Sequence, residues 1–127
     1  MVLGIGIDLV EVGRIERMID EKGDRAMRRL FTAREIEYAA RRPHPAQHFA
    51  ARFAAKEAAY KALSGDDDVA RAVGWRDVEV VPTGDGRPTL AFHGPAARRA
   101  AMLGVARALV TLTHTDGVAG AMVVLEG

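Results

Sequence analysis

Hydrophobic residues in the first third of the chain change from a strand-like to a helix-like spacing. From Val2 to Val12 the sequence alternates or runs apolar with β-branched residues, which predicts a strand that ends near Asp8 to Glu11. The apolar residues that follow recur at helical spacing, and Gly23 marks the stop of that helix. We expect a short turn capped by Asp24 to come next.

Two further helices are predicted before the middle of the chain. Residues Thr32 to Glu35 have the spacing of a capping box, in which two side chains bond the free backbone N–H groups of the first turn. Pro43 and Pro45 break this helix, because proline lacks a backbone N–H. The longest helical pattern runs from about Pro45 to Leu63 and closes at Gly65, and residues 65–68 form a loop.

The second half of the chain is rich in strand-forming residues. A hairpin signal at Gly84-Asp85-Gly86 separates two such runs. The predicted elements are strands at 77–81 and 88–92, a helix from Pro95 to Gly104, and strands at 106–114 and 118–125. Hairpins with segregated helices indicate an α+β fold, not a doubly wound sheet. The chain has no linker or repeat, so we expect residues 1–127 to form one domain.

The long predicted helix has two sides of different composition. One side carries only alanine, at positions 51, 54, 55, 58 and 62, which lets a helix approach a sheet or another helix closely. The other side carries Arg52, Phe53, Lys56, Glu57, Tyr60 and Lys61. Glu57 and Lys61 are four residues apart and project together, which most often means a solvated pair. The mixture of cations with one acid also suits a site that holds an anion.

Composition narrows the class of protein. The chain has no cysteine, which excludes disulfides and thiolate metal sites, and no apolar run of membrane-spanning length. Its first acid comes too early for a signal peptide, so we expect a cytoplasmic protein. The net charge of +1 is too small to argue for nucleic acid, but arginines crowd the first third and offer a docking surface for an acidic partner.

Asp8 is an acid inside an otherwise apolar strand, which costs free energy unless the carboxylate is paired or liganded. Taken alone, it is a hydrogen-bonding residue at a strand end. Asp8 and Glu57 together would form a hard oxygen site that suits Mg²⁺, with Arg52, Lys56 and Lys61 to meet phosphate charge. Spacing alone does not establish that Asp8 reaches Glu57.

The four histidines and the N-terminal glycines have ordinary interpretations. His44 and His48 lack a third ligand for zinc, His93 is a surface residue at a strand end, and His114 is most simply a core histidine. Gly4 and Gly6 lack the third glycine of a dinucleotide fingerprint. They more simply let the strand pack tightly against a neighbour.

Several segments spread over nearly the whole chain carry a combined signature. They are Gly4 to Val10 with Arg14-Ile15, Phe31-Thr32 with Glu35, Arg52 to Ala58 with Lys61-Ala62, Val78-Glu79-Val80 before Gly86-Arg87-Pro88, and Thr113-His114-Thr115. In this order they resemble the holo-acyl-carrier-protein synthases, the small trimeric class of 4'-phosphopantetheinyl transferases. The resemblance implies an α+β subunit with a long helix on an antiparallel sheet, a homotrimer, and coenzyme A bound between neighbouring subunits.

The resemblance also implies roles for individual residues. Asp8 and Glu57 match the Mg²⁺ ligands, and Lys61 matches the group that contacts the diphosphate; these three are the expected catalytic residues. The matched coenzyme A contacts are Arg52 and His114 at phosphate and Gly86, Arg87 and Pro88 at the adenosine end. Arg14, Met18, Arg25 and Arg28 fall where the family docks the acidic helix of its carrier protein.

The implied reaction is a group transfer that supports fatty acid biosynthesis. A serine of apo acyl carrier protein attacks the phosphorus of coenzyme A that bears pantetheine, and 3',5'-ADP leaves. Glu57 or a metal-bound water takes the serine proton, and the sequence does not choose between them. A non-catalytic trimeric scaffold for acidic carrier proteins is the alternative, although a scaffold does not need Asp8, Glu57 and Lys61 together. Nucleic acid and membrane are not expected partners.

Overall fold

The chain folds into helices and two antiparallel sheets in the computed structural model, which describes residues 1–127. The strands are β1 (Val2–Glu11), β2 (Val78–Pro82), β3 (Pro88–Phe92), β4 (Arg107–His114) and β5 (Val118–Glu126). The helices are α1 (Val12–Leu30), α2 (Ala33–Ala40), α3 (Pro45–Ala62), α4 (Asp68–Arg71) and α5 (Gly94–Leu103), with a 3-10 turn at Trp75–Asp77. The predicted α+β class is therefore confirmed.

The larger sheet has the strand order β1-β5-β4, with β5 in the centre. Strand β1 pairs with β5 so that Asp8 lies opposite Ala121, and β4 pairs with β5 so that His114 lies opposite Ala119. The β2–β3 hairpin forms a separate two-stranded sheet. All pairs are antiparallel, and the β2–β3 and β4–β5 pairs are each joined by a short turn.

Helix α3 packs directly on β1 through glycine and alanine. Ala54, Ala55 and Ala58 are fully buried. A Cβ on Gly6 would lie 2.7 Å from the carbonyl carbon of Ala58, so only glycine permits this approach. The prediction that the N-terminal glycines allow tight packing of the strand is confirmed. One consequence is that the side chains of β1 near α3 are held at a fixed distance from the helix.

Local sequence signals specify most of the element ends. Thr32 and Glu35 form the predicted capping box at the start of α2. Gly23 adopts φ 68° and ψ −160° and breaks α1, as its position predicted, although helical residues resume at once. The prediction of a loop at residues 65–68 is wrong at its end, because the Asp67 side chain accepts from the N–H of Ala70 and starts the one-turn α4.

The two faces of the larger sheet have different surroundings. One face packs on α3 around Val10, Ala121, Val123 and Leu125, all of which are buried. The opposite face carries large apolar side chains that remain exposed, including Ile5 (67%), Ile7 (62%) and Leu9 (69%). Leu109, Val118 and Met122 are also exposed. None of the helices combines the length and the hydrophobicity that a bilayer crossing requires.

Candidate active site

The structure brings Asp8, Glu57 and Lys61 together where β1 meets α3. The Nζ atom of Lys61 lies 3.2 Å from Asp8 Oδ1 and donates a second hydrogen bond to the carbonyl of Ile7 at 2.9 Å. Glu57 lies one helical turn before Lys61 on α3 and is half-buried. This grouping places two carboxylates and one exposed ammonium at a single surface position.

Electrostatics shows that the two carboxylates interact. Burial raises the pKa of Glu57, and the negative charge of Asp8 raises it further, while Lys61 and Arg14 lower it. Two partly buried carboxylates that repel each other fit a divalent cation, which relieves the repulsion. The donor set is all oxygen and suits Mg²⁺, which binds through one or two carboxylates and completes its shell with water and substrate. No group of three or more metal-binding side chains is found in the chain.

A cavity of about 220 Å³ adjoins Glu57. Its walls include Tyr60 and Trp75, and Trp75 stacks on Phe53 with ring centroids 4.8 Å apart. The guanidinium of Arg14 lies 5.4 Å from the centroid of the Phe53 ring. The Glu57 carboxylate therefore borders a space that a substrate can enter.

A second grouping, the cationic cleft, lies at the start of α3. It is a cavity of about 300 Å³ with no acidic residue in its wall. The lining residues are Tyr38, His48, Ala51, Arg52, Gly86, Arg87, Pro88, Val110, Thr111, Leu112 and His114. All five residues matched to coenzyme A contacts other than Lys61 are in this set. They come from α3, β4 and the β2–β3 turn, which are distant in sequence.

Arg52 is a buried cation without a carboxylate partner in direct contact. Only 4% of its surface is exposed, and its Nε atom has no hydrogen-bond partner. Its guanidinium lies 4.1 Å from the centroid of the Tyr38 ring. Burial lowers the pKa of Arg52, while Tyr38 and Glu35 favour the charged form. A buried charge with a free N–H is costly unless an anion binds to it, so this position suits a phosphate.

The β2–β3 turn holds Arg87 at the edge of the cleft. Gly86 adopts φ 86°, a conformation that favours glycine. Asp85 accepts from the backbone N–H of Arg87 at 3.2 Å and from its Nε at 3.0 Å. These bonds lower the pKa of Asp85, after the larger effect of the Thr83 hydroxyl. The turn is thereby fixed by its own side chains.

The expectation that Lys56 meets ligand phosphate is wrong. Its Nζ atom lies 2.8 Å from Glu35 Oε1 in the core and donates to the carbonyl of Trp75 at 2.9 Å. Burial lowers the pKa of Lys56, and Glu35 opposes that effect. Lys56 therefore anchors α3 to the 75–78 segment. Arg52 also points away from the Asp8–Glu57 pair. One side of α3 therefore contributes residues to the core, to the cationic cleft and to the acidic pair.

Sequence reasoning missed Tyr38 and His48 as residues of the cleft. His48 precedes Arg52 by four residues on α3, so helical spacing places both on one side. That spacing could have identified His48, but it was considered only as a zinc ligand. No sequence signal pointed to Tyr38. The expectation of a core position for His114 is wrong, because this residue is exposed at the end of β4.

The four residues matched to carrier-protein docking all lie on α1. Arg14, Arg25 and Arg28 are exposed, and Met18 packs partly against the core. The break at Gly23 separates the first two from the last two. Arg28 also borders a groove of about 460 Å³ with Met27, Phe31 and Ile36 in its wall. Helix α1 therefore presents cations beside apolar surface.

Known proteins match this chain over its full length. The family model described as 4'-phosphopantetheinyl transferase superfamily matches residues 4–119. A holo-[acyl-carrier-protein] synthase of Koribacter versatilis is 47% identical over 126 residues, covering 99% of each chain. The crystal structure of the synthase from Neisseria meningitidis superposes with a TM-score of 0.86 at 26% identity, covering all of both chains. The synthase from Bacillus anthracis in complex with CoA (3',5'-ADP) superposes with a TM-score of 0.77 at 31% identity, covering 98% of this chain and 96% of that one.

The α+β fold, the acidic pair beside α3 and these matches define a group-transfer enzyme of one superfamily. The chain belongs to the 4'-phosphopantetheinyl transferase superfamily. Within it, the full-length relatives place the chain among the holo-[acyl-carrier-protein] synthases. The scaffold alternative receives no support from these matches.

Proposed function

We propose that the protein transfers the 4'-phosphopantetheine group from coenzyme A to a serine of apo acyl carrier protein and releases 3',5'-ADP, in a Mg²⁺-dependent reaction that supports fatty acid biosynthesis. The observation that carries this proposal is the meeting of Asp8, Glu57 and Lys61 at the contact of β1 with α3. The reaction belongs in the compartment that holds both substrates, which we take to be the cytoplasm.

Asp8 and Glu57 would hold the Mg²⁺ ion, which offsets negative charge on the diphosphate when bound. Lys61 is half-exposed and already oriented by its bonds to Asp8 and to the Ile7 carbonyl. From that position it stabilises the charge that grows on the departing phosphate. Such positioning and charge neutralisation supply most of the catalysis in phosphoryl-type transfer.

The bond changes follow from the two substrates. The serine oxygen forms a bond to the phosphorus that bears pantetheine, and the bond from that phosphorus to the bridging oxygen breaks. The electron pair leaves with 3',5'-ADP next to Lys61. The serine proton passes to Glu57 or to water beside it. Helix α1 lies next to this position and would dock the carrier protein through Arg14, Met18, Arg25 and Arg28, because cations attract an acidic helix.

We further propose that three copies assemble through the exposed apolar face of the larger sheet. Ile5, Ile7 and Leu9 alternate along β1 and all point to that face, and a contiguous set of exposed apolar side chains marks an interaction surface. A second copy would cover these apolar side chains. The cationic cleft and the acidic pair are separate within one chain, so a ligand that contacts both would lie between neighbouring copies. Coenzyme A carries a diphosphate for the acidic pair and a ribose 3'-phosphate for the cationic cleft.

Mass spectrometry of the carrier protein tests the reaction. The parent protein with coenzyme A and Mg²⁺ should add one phosphopantetheine group to apo carrier protein, and EDTA should stop the addition. Glu57→Gln should lower the rate by about a thousandfold or more and keep the fold, because it removes one metal ligand. Asp66→Asn, an exposed acid in the loop after α3, is the control and should act at the parent rate.

Two results would contradict the proposal in different ways. If the parent protein left the carrier mass unchanged under these conditions, the transfer reaction would be the wrong function. If Glu57→Gln transferred at the parent rate under the same Mg²⁺ concentration, the metal assignment would be wrong and the reaction would remain.

A further inference from the structure

Two histidines face each other across the cationic cleft. The ring centroids of His48 on α3 and His114 at the end of β4 are 6.1 Å apart, at an interplanar angle of 62°. The Tyr38 ring also lies beside His48, with ring centroids 6.0 Å apart at an interplanar angle of 72°. Neither histidine has a carboxylate partner. Both rings therefore keep nitrogen atoms available to a ligand in the cleft.

Every charged group that faces His48 is a cation. Arg42 comes from the segment after α2, Arg52 from α3 itself and Arg87 from the β2–β3 turn, while Tyr38 and His114 are the other titratable neighbours. The acid that acts on Arg52 is Glu35, but its Oε1 atom is already paired with Lys56 Nζ at 2.8 Å. The cleft thus concentrates positive charge that nothing within the chain neutralises.

We infer that His48 is a further binding residue of this cleft, that it pairs with His114 on a phosphate monoester dianion, and that it takes up a proton when that group binds. Arg52, buried and with its Nε atom free, supplies the fixed positive charge of the same site. The inference rests on the proposed function for the identity of the ligand, since coenzyme A and 3',5'-ADP carry such a monoester at the ribose 3' position.

The sign of the pH dependence follows from the empty and occupied cleft. Burial lowers the pKa of His48, and Arg52, His114 and Arg42 lower it further, so the ring is neutral in the free protein at neutral pH. A bound dianion raises the pKa by favouring the charged ring. Proton uptake on binding means that affinity rises as the pH falls. The phosphate loses charge near pH ~6, which opposes the effect equally in parent and variant.

Isothermal titration calorimetry with 3',5'-ADP tests the inference. From about pH 8 to about pH 6.5, the parent should gain about fivefold in affinity, and His48→Gln should gain less than about twofold. In two buffers of different ionisation heat, the parent should take up more protons on binding than His48→Gln, in which His114 is the one histidine left in the cleft. His93→Gln is the matched control, because His93 lies outside the cleft and glutamine can still donate to Glu79; it should behave as the parent.

Dephospho-coenzyme A, which lacks the phosphate monoester, tests whether His48 contacts that group. With this ligand, parent and His48→Gln should have the same pH dependence, and a persisting difference would overturn the monoester assignment. If His48→Gln kept the parent's pH dependence toward 3',5'-ADP, the role of His48 would be overturned. If circular dichroism showed that His48→Gln is unfolded, His48→Phe keeps a ring beside Tyr38 and replaces it. A parent protein that bound no 3',5'-ADP at either pH would overturn the proposed function instead.

Discussion

Burial separates two lysines that the sequence presents as equivalent. Lys56 and Lys61 both lie on α3, five residues apart, beside Glu57. Lys56 is 2% exposed and bonded to Glu35, whereas the Lys61 side chain is 53% exposed and bonded to Asp8. The first is held inside the core, and the second is held at the surface, where a ligand can reach it. Their difference in role is therefore a difference in surroundings, not in chemistry.

Replacing each lysine by methionine should separate stability from activity. Lys56→Met leaves the Glu35 carboxylate buried without its cation and should lower the free energy of unfolding by about 3–5 kcal/mol. Lys61→Met should leave unfolding within about 0.5 kcal/mol of the parent, since its ion pair is exposed, but should slow transfer at least about a hundredfold. Urea denaturation and the carrier mass assay measure the two effects. Equal stability of both variants would contradict the buried role of Lys56.

Glu79 predicts a pH dependence of stability. Burial alone would raise its pKa, but hydrogen bonds from Arg34, Thr32 and His93 outweigh burial and lower the pKa to about 2. Because the pKa is lowered in the folded state, the ionised Glu79 contributes its full stabilisation at pH values above the ordinary pKa of 4.5. This stabilisation is lost as the pH falls toward about 2. Glu79→Gln should lower the free energy of unfolding by up to about 3 kcal/mol at neutral pH. The stability of this variant should also depend less on pH in the acidic range.

Urea unfolding of the Glu79→Gln variant and the parent at about pH 7 and about pH 3 measures this difference. The two proteins should become more similar in stability at the lower pH, because the parent loses the contribution that the variant never had. A constant difference between them at both values would show that the Glu79 bonds do not depend on its charge.

At the scale of secondary structure, the contact of β1 with α3 determines where the site residues meet. Gly4 and Gly6 bring the strand against the backbone of Ala58 and Ala62. Asp8 follows two residues later on β1, and Lys61 lies between the two alanines in reach of it. The close approach of β1 and α3 therefore brings the Lys61 ammonium to the Asp8 carboxylate, although the two residues are 53 positions apart in the sequence.

Gly6→Ala should force β1 away from α3. Its new Cβ would lie 2.7 Å from the carbonyl carbon of Ala58, and a backbone cannot yield as a side chain can. We expect a loss of about 3 kcal/mol in unfolding free energy, together with slower transfer because Asp8 moves with the strand. Gly84→Ala is the matched control, since nothing lies within 4 Å of its Cβ and its φ is not positive; thermal unfolding should match the parent. Parent-like stability of Gly6→Ala would refute the close approach.

Local patterns predicted the elements but not their three-dimensional neighbours. The capping box at Thr32, the break at Gly23 and the hairpin at residues 84–86 are specified by residues within one turn of each other, so the sequence alone suffices. The position of Lys56 depends on Glu35 and on residues 75–78, which contact it only in the folded chain. Long-range contacts of this kind also build the cationic cleft, which the sequence did not indicate as one cavity.

The same dependence on long-range contacts separates the predicted site residues into two groups, one at the acidic pair and one in the cationic cleft. Asp8, Glu57 and Lys61 are grouped by the family resemblance, because an acid in an apolar strand needs a partner but spacing alone does not say which one. Helix side alone puts Arg52 with them, whereas the family resemblance puts it with His114 at a coenzyme A phosphate; in the structure Arg52 lies beside Tyr38 and His48. Helical spacing defines which residues share a side, but the partner element decides which of them share a cavity.

At the scale of the whole molecule, one chain holds the two halves of the proposed site in different places. The acidic pair lies at the contact of β1 with α3, and the cationic cleft lies between the start of α3, β4 and the β2–β3 turn. The exposed apolar face of the larger sheet supplies a surface through which copies can associate. If a neighbour completes each site, activity requires the assembled molecule and not the folded chain alone.

Mixing two inactive variants tests this requirement. Glu57→Gln removes the acidic pair, and the double variant Arg87→Ala/His114→Ala removes two exposed side chains of the cleft; each alone should be inactive. After the subunits are exchanged at equal amounts, neighbouring copies place an intact pair next to an intact cleft in about a quarter of the sites. Transfer should return to about that fraction of the parent rate, as measured by carrier mass. No recovery from trimers verified to be mixed would mean that each chain builds its site from its own residues, and the apolar face would then serve only to hold the copies together.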